Sequence, residues 1–243
     1  DAAAATPGID TDTFTVRASD AHHGVDTETA TVIIAPDIAE NTITATVGVG
    51  SKPTQVTVSP DGTRAYVTNT HSNSVSVIDT ATNTVVDTVG VGWRPIQVTI
   101  SPDNSVAYVP NVGSNTVSVI DTATNTVVDT VHVGWRPTQV TVSPDGAHAY
   151  VTNAASNTVS VIDTTTNTVT KTVHVGWRPT QVTVSPDGTH VYVTNTFSRS
   201  VSVIDTATNT VVDTVHVGWR PTQVAVSPDG THVYVTNTFS RSV

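Results

Sequence analysis

Residues 55–59, Gln-Val-Thr-Val-Ser, alternate polar and apolar side chains, the period-2 pattern of a strand with one face packed. The alternation returns at Arg64–Asn69 around Tyr66, at Ser74–Asp79 as serine against valine, and again at 84–89. Between the first two segments stands Ser59-Pro60-Asp61-Gly62. Pro and Asp suit the centre of a type I turn, and Gly takes the left-handed position that closes a short hairpin. Between the last two stands Asp79-Thr-Ala-Thr-Asn83, where Asp and Thr bond local amides and Asn tolerates positive φ. The pattern therefore predicts a four-stranded antiparallel meander.

That meander is copied every 42 residues, with Tyr-Val-Thr-Asn or a one-letter variant at Tyr66, Tyr108, Tyr150, Tyr192 and Tyr234. The second copy reads Ser101-Pro-Asp-Asn104, and Asn is the next most tolerant residue at positive φ, so the backbone requirement is kept. No segment shows helical spacing. A period of about 40–45 residues made of strands and turns is that of a propeller blade. The expected fold is all-β: a β-propeller of 42-residue blades at 51–92, 93–134, 135–176 and 177–218, with a partial blade at 219–243. Residues 41–50 align with 83–92 and predict a lone outer strand that opens the array. The ring is then incomplete, and closing seven blades needs roughly 90 further residues at this period. The start at Asp1 and the stop at Val243 in mid-repeat lead us to expect a piece of a longer protein.

Residues 1–36 depart from the repeat. Two alternating segments, 12–20 and 26–35, flank the polar turn Ala21-His-His-Gly24 and predict a β-hairpin too small to hold a core alone.

The repeated Ser-Pro-Asp-Gly, Tyr-Val-Thr-Asn and Ser-Val-Ile-Asp-Thr at fixed spacing resemble the YVTN β-propeller repeat family, over residues 41–243. Pro110 in place of the motif threonine, Asn104 in place of the turn glycine, and Ser51-Lys52 in place of Trp-Arg are the departures. The N-terminal hairpin resembles the end of a bacterial cadherin-like or immunoglobulin-like module, with Ala35-Pro36-Asp37 as linker. Together the resemblances imply a seven-bladed propeller in an extracellular or cell-surface setting, of surface-layer type.

Composition narrows the functions. Twenty acidic residues against ten Lys and Arg give a net charge of −10, which disfavours nucleic acid and anionic membrane as partners. There is no cysteine, hence no disulfide and no thiolate metal site. No apolar run approaches the 18 or so residues that span a bilayer.

Candidate chemistry follows the repeat. His132, His174 and His216 share one position, but equivalent atoms of neighbouring blades stand about 10 Å apart while zinc requires nitrogen at about 2.0–2.1 Å, so we expect exposed polar residues rather than metal ligands. His148, His190 and His232 sit where other blades have Arg64 and Val106, a solvated position. The turn aspartates Asp61, Asp103, Asp145, Asp187 and Asp229 are explained by turn chemistry, since calcium wants about 6–8 converging oxygens. Asp20 and Asp26 in the hairpin are weak calcium candidates; no metal or cofactor is otherwise expected.

One recurrence points to binding. Trp93-Arg94, Trp135-Arg136, Trp177-Arg178 and Trp219-Arg220 stand in the link from each fourth strand to the next first strand. In an up-and-down blade that link shares a face with the turn between second and third strands, where Phe197, Arg199 and the equivalent Phe239 and Arg241 fall. Trp and Arg are enriched at binding hot spots, so this face is the candidate surface for a protein or glycan partner. The competing expectation is packing, with Trp covering a blade edge and Arg stacked on it.

No phosphate loop, nucleophile elbow or His-Glu metal motif is present. Copies as alike as 177–201 and 219–243, which differ only at Thr183 and Ala225, place like residues in symmetric rings, whereas catalysis needs unlike groups around one centre. The expectation is therefore a noncatalytic scaffold for adhesion or protein and glycan interaction. The alternatives are a propeller enzyme, lactonase-like or cofactor-dependent dehydrogenase-like, whose site lies in blades outside this sequence, and a structural surface-layer spacer.

Overall fold

A computed structural model describes residues 29–30, 43 and 45–243. Apart from β1 (Thr29–Ala30), the predicted N-terminal hairpin lies outside the described residues, as do Asp20 and Asp26. β2 (Val47–Gly48) falls in the predicted outer strand and pairs antiparallel with β1.

The blades follow in register. The first is β3 (Pro53–Val58), β4 (Arg64–Asn69), β5 (Ser74–Asp79) and β6 (Thr84–Gly90). The second is β7 (Thr99–Ile100), β8 (Val106–Asn111), β9 (Thr116–Asp121) and β10 (Thr126–His132). The third is β11 (Pro137–Val142), β12 (His148–Asn153), β13 (Thr158–Asp163) and β14 (Thr168–His174). The fourth is β15 (Pro179–Val184), β16 (His190–Asn195), β17 (Ser200–Asp205) and β18 (Thr210–His216), and a fifth sheet holds β19 (Pro221–Val226) and β20 (Val233–Asn237). Each of the first four is an antiparallel meander, and the described residues do not close the ring.

The turns are built as their residues dictate. Gly62, Gly146, Gly188 and Gly230 take φ between 71° and 74°, and Asn104 substitutes at 64°. Within the first turn the Asp61 carboxylate accepts hydrogen bonds from the Ser59 hydroxyl at 2.6 Å and the Thr63 amide at 3.0 Å. At the next turn Asp79 accepts from the amides of Ala81 and Thr82, and Asn83 is left-handed.

Sheets stack face to face. Tyr66, Val75, Val77 and Val89 of the first blade form one core with Val98, Ile100, Ala107, Val109 and Ile120 of the second, and the same set recurs at the next two interfaces. Each fully buried Val or Ile contributes on the order of 1.5–3 kcal/mol of transfer from water. Val47 from β2 covers Ala65, Val67 and Ile78 at the first blade's outer face, the place Val89 takes one repeat later. Tyr150 is packed between two blades and 1% exposed, whereas Tyr234, in the last described sheet, is 54% exposed.

The inner strands are also tied by side chains. The amides of Val98, Val140 and Val182 donate to the Oε1 atoms of Gln55, Gln97 and Gln139 in the preceding blade at 2.8, 2.8 and 2.6 Å, and Val224 bonds Gln181 likewise. Each blade thus hands one hydrogen bond to the next.

The second blade shows what a departure from the repeat does. Elsewhere a threonine on the first strand bonds the motif threonine on the second, as Thr138 does Thr152 at 3.0 Å. Here Ile96 and Pro110 replace both. Proline has no amide to donate to the ladder. Accordingly β7 pairs with β8 only at Thr99 and Ile100, with one isolated bridge at Pro95.

Candidate functional site

The links between blades are fixed from three sides. The amides of Trp93, Trp135, Trp177 and Trp219 donate to Ser114, Ser156, Ser198 and Ser240 in the same blade's turn between second and third strands, at 3.0, 2.6, 2.6 and 2.6 Å. The amides of Arg94, Arg136 and Arg178 donate to Asn73, Asn115 and Asn157 of the preceding blade, each at 2.9 Å. Behind each link Gly92, Gly134, Gly176 or Gly218 lies so close to the buried motif asparagine or its serine neighbour that a Cβ would come within 2.6–2.7 Å. The result is a rigid corner with a cation at its tip.

The cation sits on strained backbone. Lys52, Arg94, Arg136, Arg178 and Arg220 have φ between 52° and 58°, a region where an arginine has no steric reason to be preferred. Most other turns that need that conformation use Asn or Gly, as at Asn83, Asn125 and Gly146. Strain of this kind persists where the surrounding structure over-determines the backbone, as the hydrogen bonds and close glycine of this corner do.

The tryptophans lie over the turn of their own blade, but their rings remain 55–68% exposed. Beneath Trp93 is Gly113, where a Cβ would be 2.7 Å from the indole. The equivalent residue is Ala155 in the third blade, Phe197 in the fourth and Phe239 in the fifth. At the same time Asn73, Asn115 and Asn157 give way to Arg199 and Arg241, which keep the left-handed φ at 54° and 52°. Two exchanges in one turn therefore set the last two blades apart.

Those exchanges build a cluster. Trp177 meets Phe197 edge to face, with centroids 5.2 Å apart. The guanidiniums of Arg178 and Arg220 lie 4.8 Å from the centroids of Phe197 and Phe239, and that of Arg199 lies 3.7 Å from Trp219 of the next blade. An open cleft of about 620 Å³ is lined by Trp177, Thr196, Phe197, Arg199, Trp219, Arg220 and Phe239. Of the sequence candidates, Trp177, Arg178, Phe197, Arg199, Trp219 and Arg220 are thus brought together. Trp93, Arg94, Trp135 and Arg136 occupy equivalent links outside this cavity.

Charge is divided between the two ends of the blades. Lys52, Arg94, Arg136, Arg178, Arg199, Arg220 and Arg241, seven of the ten Lys and Arg residues, stand in the links and neighbouring turns, and no acid is found in those segments. Except for Asp87, Asp129 and Asp213 on the outer strands, the aspartates among the described residues lie at the opposite turns. There the Ser185 and Ser227 hydroxyls, followed by the Thr189 and Thr231 amides, hold Asp187 and Asp229 down to about 2. The one ion pair among the described residues, Arg64 with Asp79, is at that acidic end.

The histidines His132, His174 and His216 are exposed at the ends of β10, β14 and β18, and the last two border a smaller cavity of about 310 Å³ with Ser198, Ser200 and Ser202. Among the described residues no three His, Asp or Glu side chains gather in a metal-holding group.

The profile of the lactonase, 7-bladed beta-propeller family matches residues 18–243. The chain belongs to that family. Among solved structures, this lactonase-family chain resembles the hydrazine synthase of Kuenenia stuttgartiensis at 31% identity and a TM-score of 0.72, over 77% of this chain and 57% of that one. The chain therefore spans less than two thirds of that relative. It also shares its fold with a functionally unknown protein from Desulfotomaculum acetoxidans DSM 771, at 20% identity and a TM-score of 0.74, over 86% of this chain and 69% of that one. Curated proteins return no match.

Family membership overturns the expectation of a noncatalytic protein, since the lactonase family and a synthase neighbour are enzyme-type propellers. That expectation equated near-identical repeats with symmetric rings. Exchanging Ala155 and Asn157 for Phe197 and Arg199 is enough to place unlike groups at one inter-blade site.

Proposed function

We propose that this chain is part of a lactonase-type propeller hydrolase whose Trp-Arg end faces the substrate. The family match over residues 18–243 carries the reading. In lactone hydrolysis water adds to the acyl carbon, the ring C–O bond breaks, the departing oxygen takes a proton, and a hydroxy acid is left. Negative charge develops on the carbonyl oxygen and ends on the carboxylate. A guanidinium whose face rests on an aromatic ring keeps its N–H edge for such an oxygen, in a geometry that suits carboxylates. Arg199 and Arg220 offer that edge to the cavity. No His, Asp or Glu side chain lines the cavity, so its residues supply binding and charge stabilisation, and the proton acceptor is assigned to none of them.

The test is a pH-stat assay of sugar and aliphatic lactones with the purified full chain. Saturable hydrolysis above buffer, weakened at least tenfold by Arg220→Ala, is expected. Hydrolysis at the buffer rate across the panel overturns the proposal.

A second reading, attachment to a glycan at a cell surface, is favoured by the exposed indoles of Trp93 and Trp135, which lie outside the cavity.

A further inference from the structure

We infer that the cleft between the fourth and fifth blades binds a pyranose carrying a carboxylate, as in a uronate-containing oligosaccharide. The inference rests on the Trp-Arg end being the ligand side, but not on ring opening.

Shape and charge select the ligand together. The cavity of about 620 Å³ lies within the range of about 300–1,000 Å³ typical of small-ligand sites. Its walls are flat rings with solvent-open surface, Trp219 at 55% and Phe239 at 61% exposure. Arg199 and Arg220 each cover part of one ring, and the ring surface left open suits the apolar C–H face of a pyranose. Between the rings stand Arg199 and Arg220, flanked by Arg178 on Phe197. Among the described residues none of these guanidiniums forms an ion pair, and no carboxylate of the chain stands in these segments. Their N–H edges are therefore free to take an anion, and in a protein of net charge −10 that anion is recognised locally rather than by long-range attraction.

The repeat supplies a second, independent argument. In the third blade Asn157 takes the left-handed position cheaply and accepts the Arg178 amide at 2.9 Å. In the fourth blade Arg199 takes the same strained position with φ at 54°, forgoes that cap, and reaches Trp219 instead. Phe197 replaces Ala155 two residues earlier. The arginine gives up backbone fit, and both exchanged residues line the cavity. Four other places in the same scaffold show that the fold does not require them: Gly113, Ala155, Asn115 and Asn157.

The scaffold therefore provides its own control variant. Phe197→Ala with Arg199→Asn converts the turn of the fourth blade to that of the third, Ala155-Ser156-Asn157, which folds in this chain. Titration of the full chain with galacturonate and trigalacturonate, followed by calorimetry and tryptophan emission, tests the inference; gluconate, neutral galactotriose and a poly-glutamate peptide serve as comparison ligands. Binding of the uronates, weakened at least tenfold in the double variant and by raised salt, is expected. Any of three results overturns it: no uronate binding, equal binding by the double variant, or a comparison ligand binding as tightly as the uronates. Preference for gluconate would mark the cleft as a site for an open-chain hydroxy acid, and preference for poly-glutamate would mark a protein-docking surface. Because binding is read without turnover, absence of lactone hydrolysis leaves this result intact, and the reverse also holds.

Discussion

The Arg199 guanidinium lies 3.7 Å from the centroid of the Trp219 indole, reaching from the turn of one blade to the link of the next. An exposed cation–π contact contributes about 0.5–1 kcal/mol. Arg199→Asn removes it but restores a residue suited to left-handed φ, and the new side chain matches Asn157, which caps the Arg178 amide. A recovered hydrogen bond contributes about 0.5–1.5 kcal/mol. The two effects oppose each other, so urea unfolding should shift by less than about 1 kcal/mol while tryptophan emission changes clearly. A larger loss of stability would make Arg199 a packing residue.

Gly176 and Gly90 test the corner behind the links. A Cβ on Gly176 would stand 2.6–2.7 Å from the Asn195 side chain, which is buried and anchored to Ser200 and Ser202 at 3.2 and 2.9 Å. Asn195 has nowhere to swing. Gly176→Ala should cost about 1–3 kcal/mol, the usual range for overpacking. On Gly90 the added methyl meets nothing within 4 Å, and Gly90→Ala should stay within about 0.5 kcal/mol of the parent. Equal effects in denaturant unfolding would refute the packing account.

Much of this was readable from period alone. Arg64–Asn69 and Ser74–Asp79 are strands to the residue, and Asn104 takes the glycine's φ, because local alternation and turn chemistry repeat without interference. The two exchanged residues Phe197 and Arg199 were visible as departures, and so was Pro110. What sequence could not show was distance. Nothing in the string Trp-Arg-Pro indicates that arginine is left-handed, because glycine or asparagine is the usual signal for that backbone. Nor do Gln55 and Gln97 announce a bond to the next blade, since their polar side chains on an inner strand read equally well as solvent-facing. The lactonase-like reading stood only as an alternative for a related reason: repeat identity describes the scaffold, and a site needs only the few positions where copies differ.

Gln139→Leu addresses the inter-blade bonds directly. The Val182 amide donates to Gln139 Oε1 at 2.6 Å, and Val182 is buried. Leucine is of similar size but offers no acceptor, and leaving a buried amide unpaired costs about 1–3 kcal/mol. Because blades contact only their neighbours, the loss should also lower cooperativity at that interface. Guanidinium unfolding is expected to show an earlier and broader transition. An unchanged transition would mean that water replaces the glutamine.

The pH limits of stability follow from two sets of repeated groups. The Ser185 and Ser227 hydroxyls hold Asp187 and Asp229 to about 2, below the ordinary 3.8, and Asp61, Asp103 and Asp145 are lowered for the same reason. A depressed carboxyl stabilises the fold above its unfolded value and loses that contribution as pH falls through its folded value. The urea midpoint should therefore decline between about pH 4 and pH 2. At the other limit burial pushes Tyr108 and Tyr150 up to about 12. A raised phenol stabilises the fold fully below its unfolded value near 10, and that contribution is lost as pH rises toward 12. Tyrosinate absorbance of these two side chains should appear together with unfolding. Tyr150→Phe cannot ionise and should hold its folded signal to higher pH than the parent. An identical alkaline transition in the variant would show that the buried phenol does not set the limit.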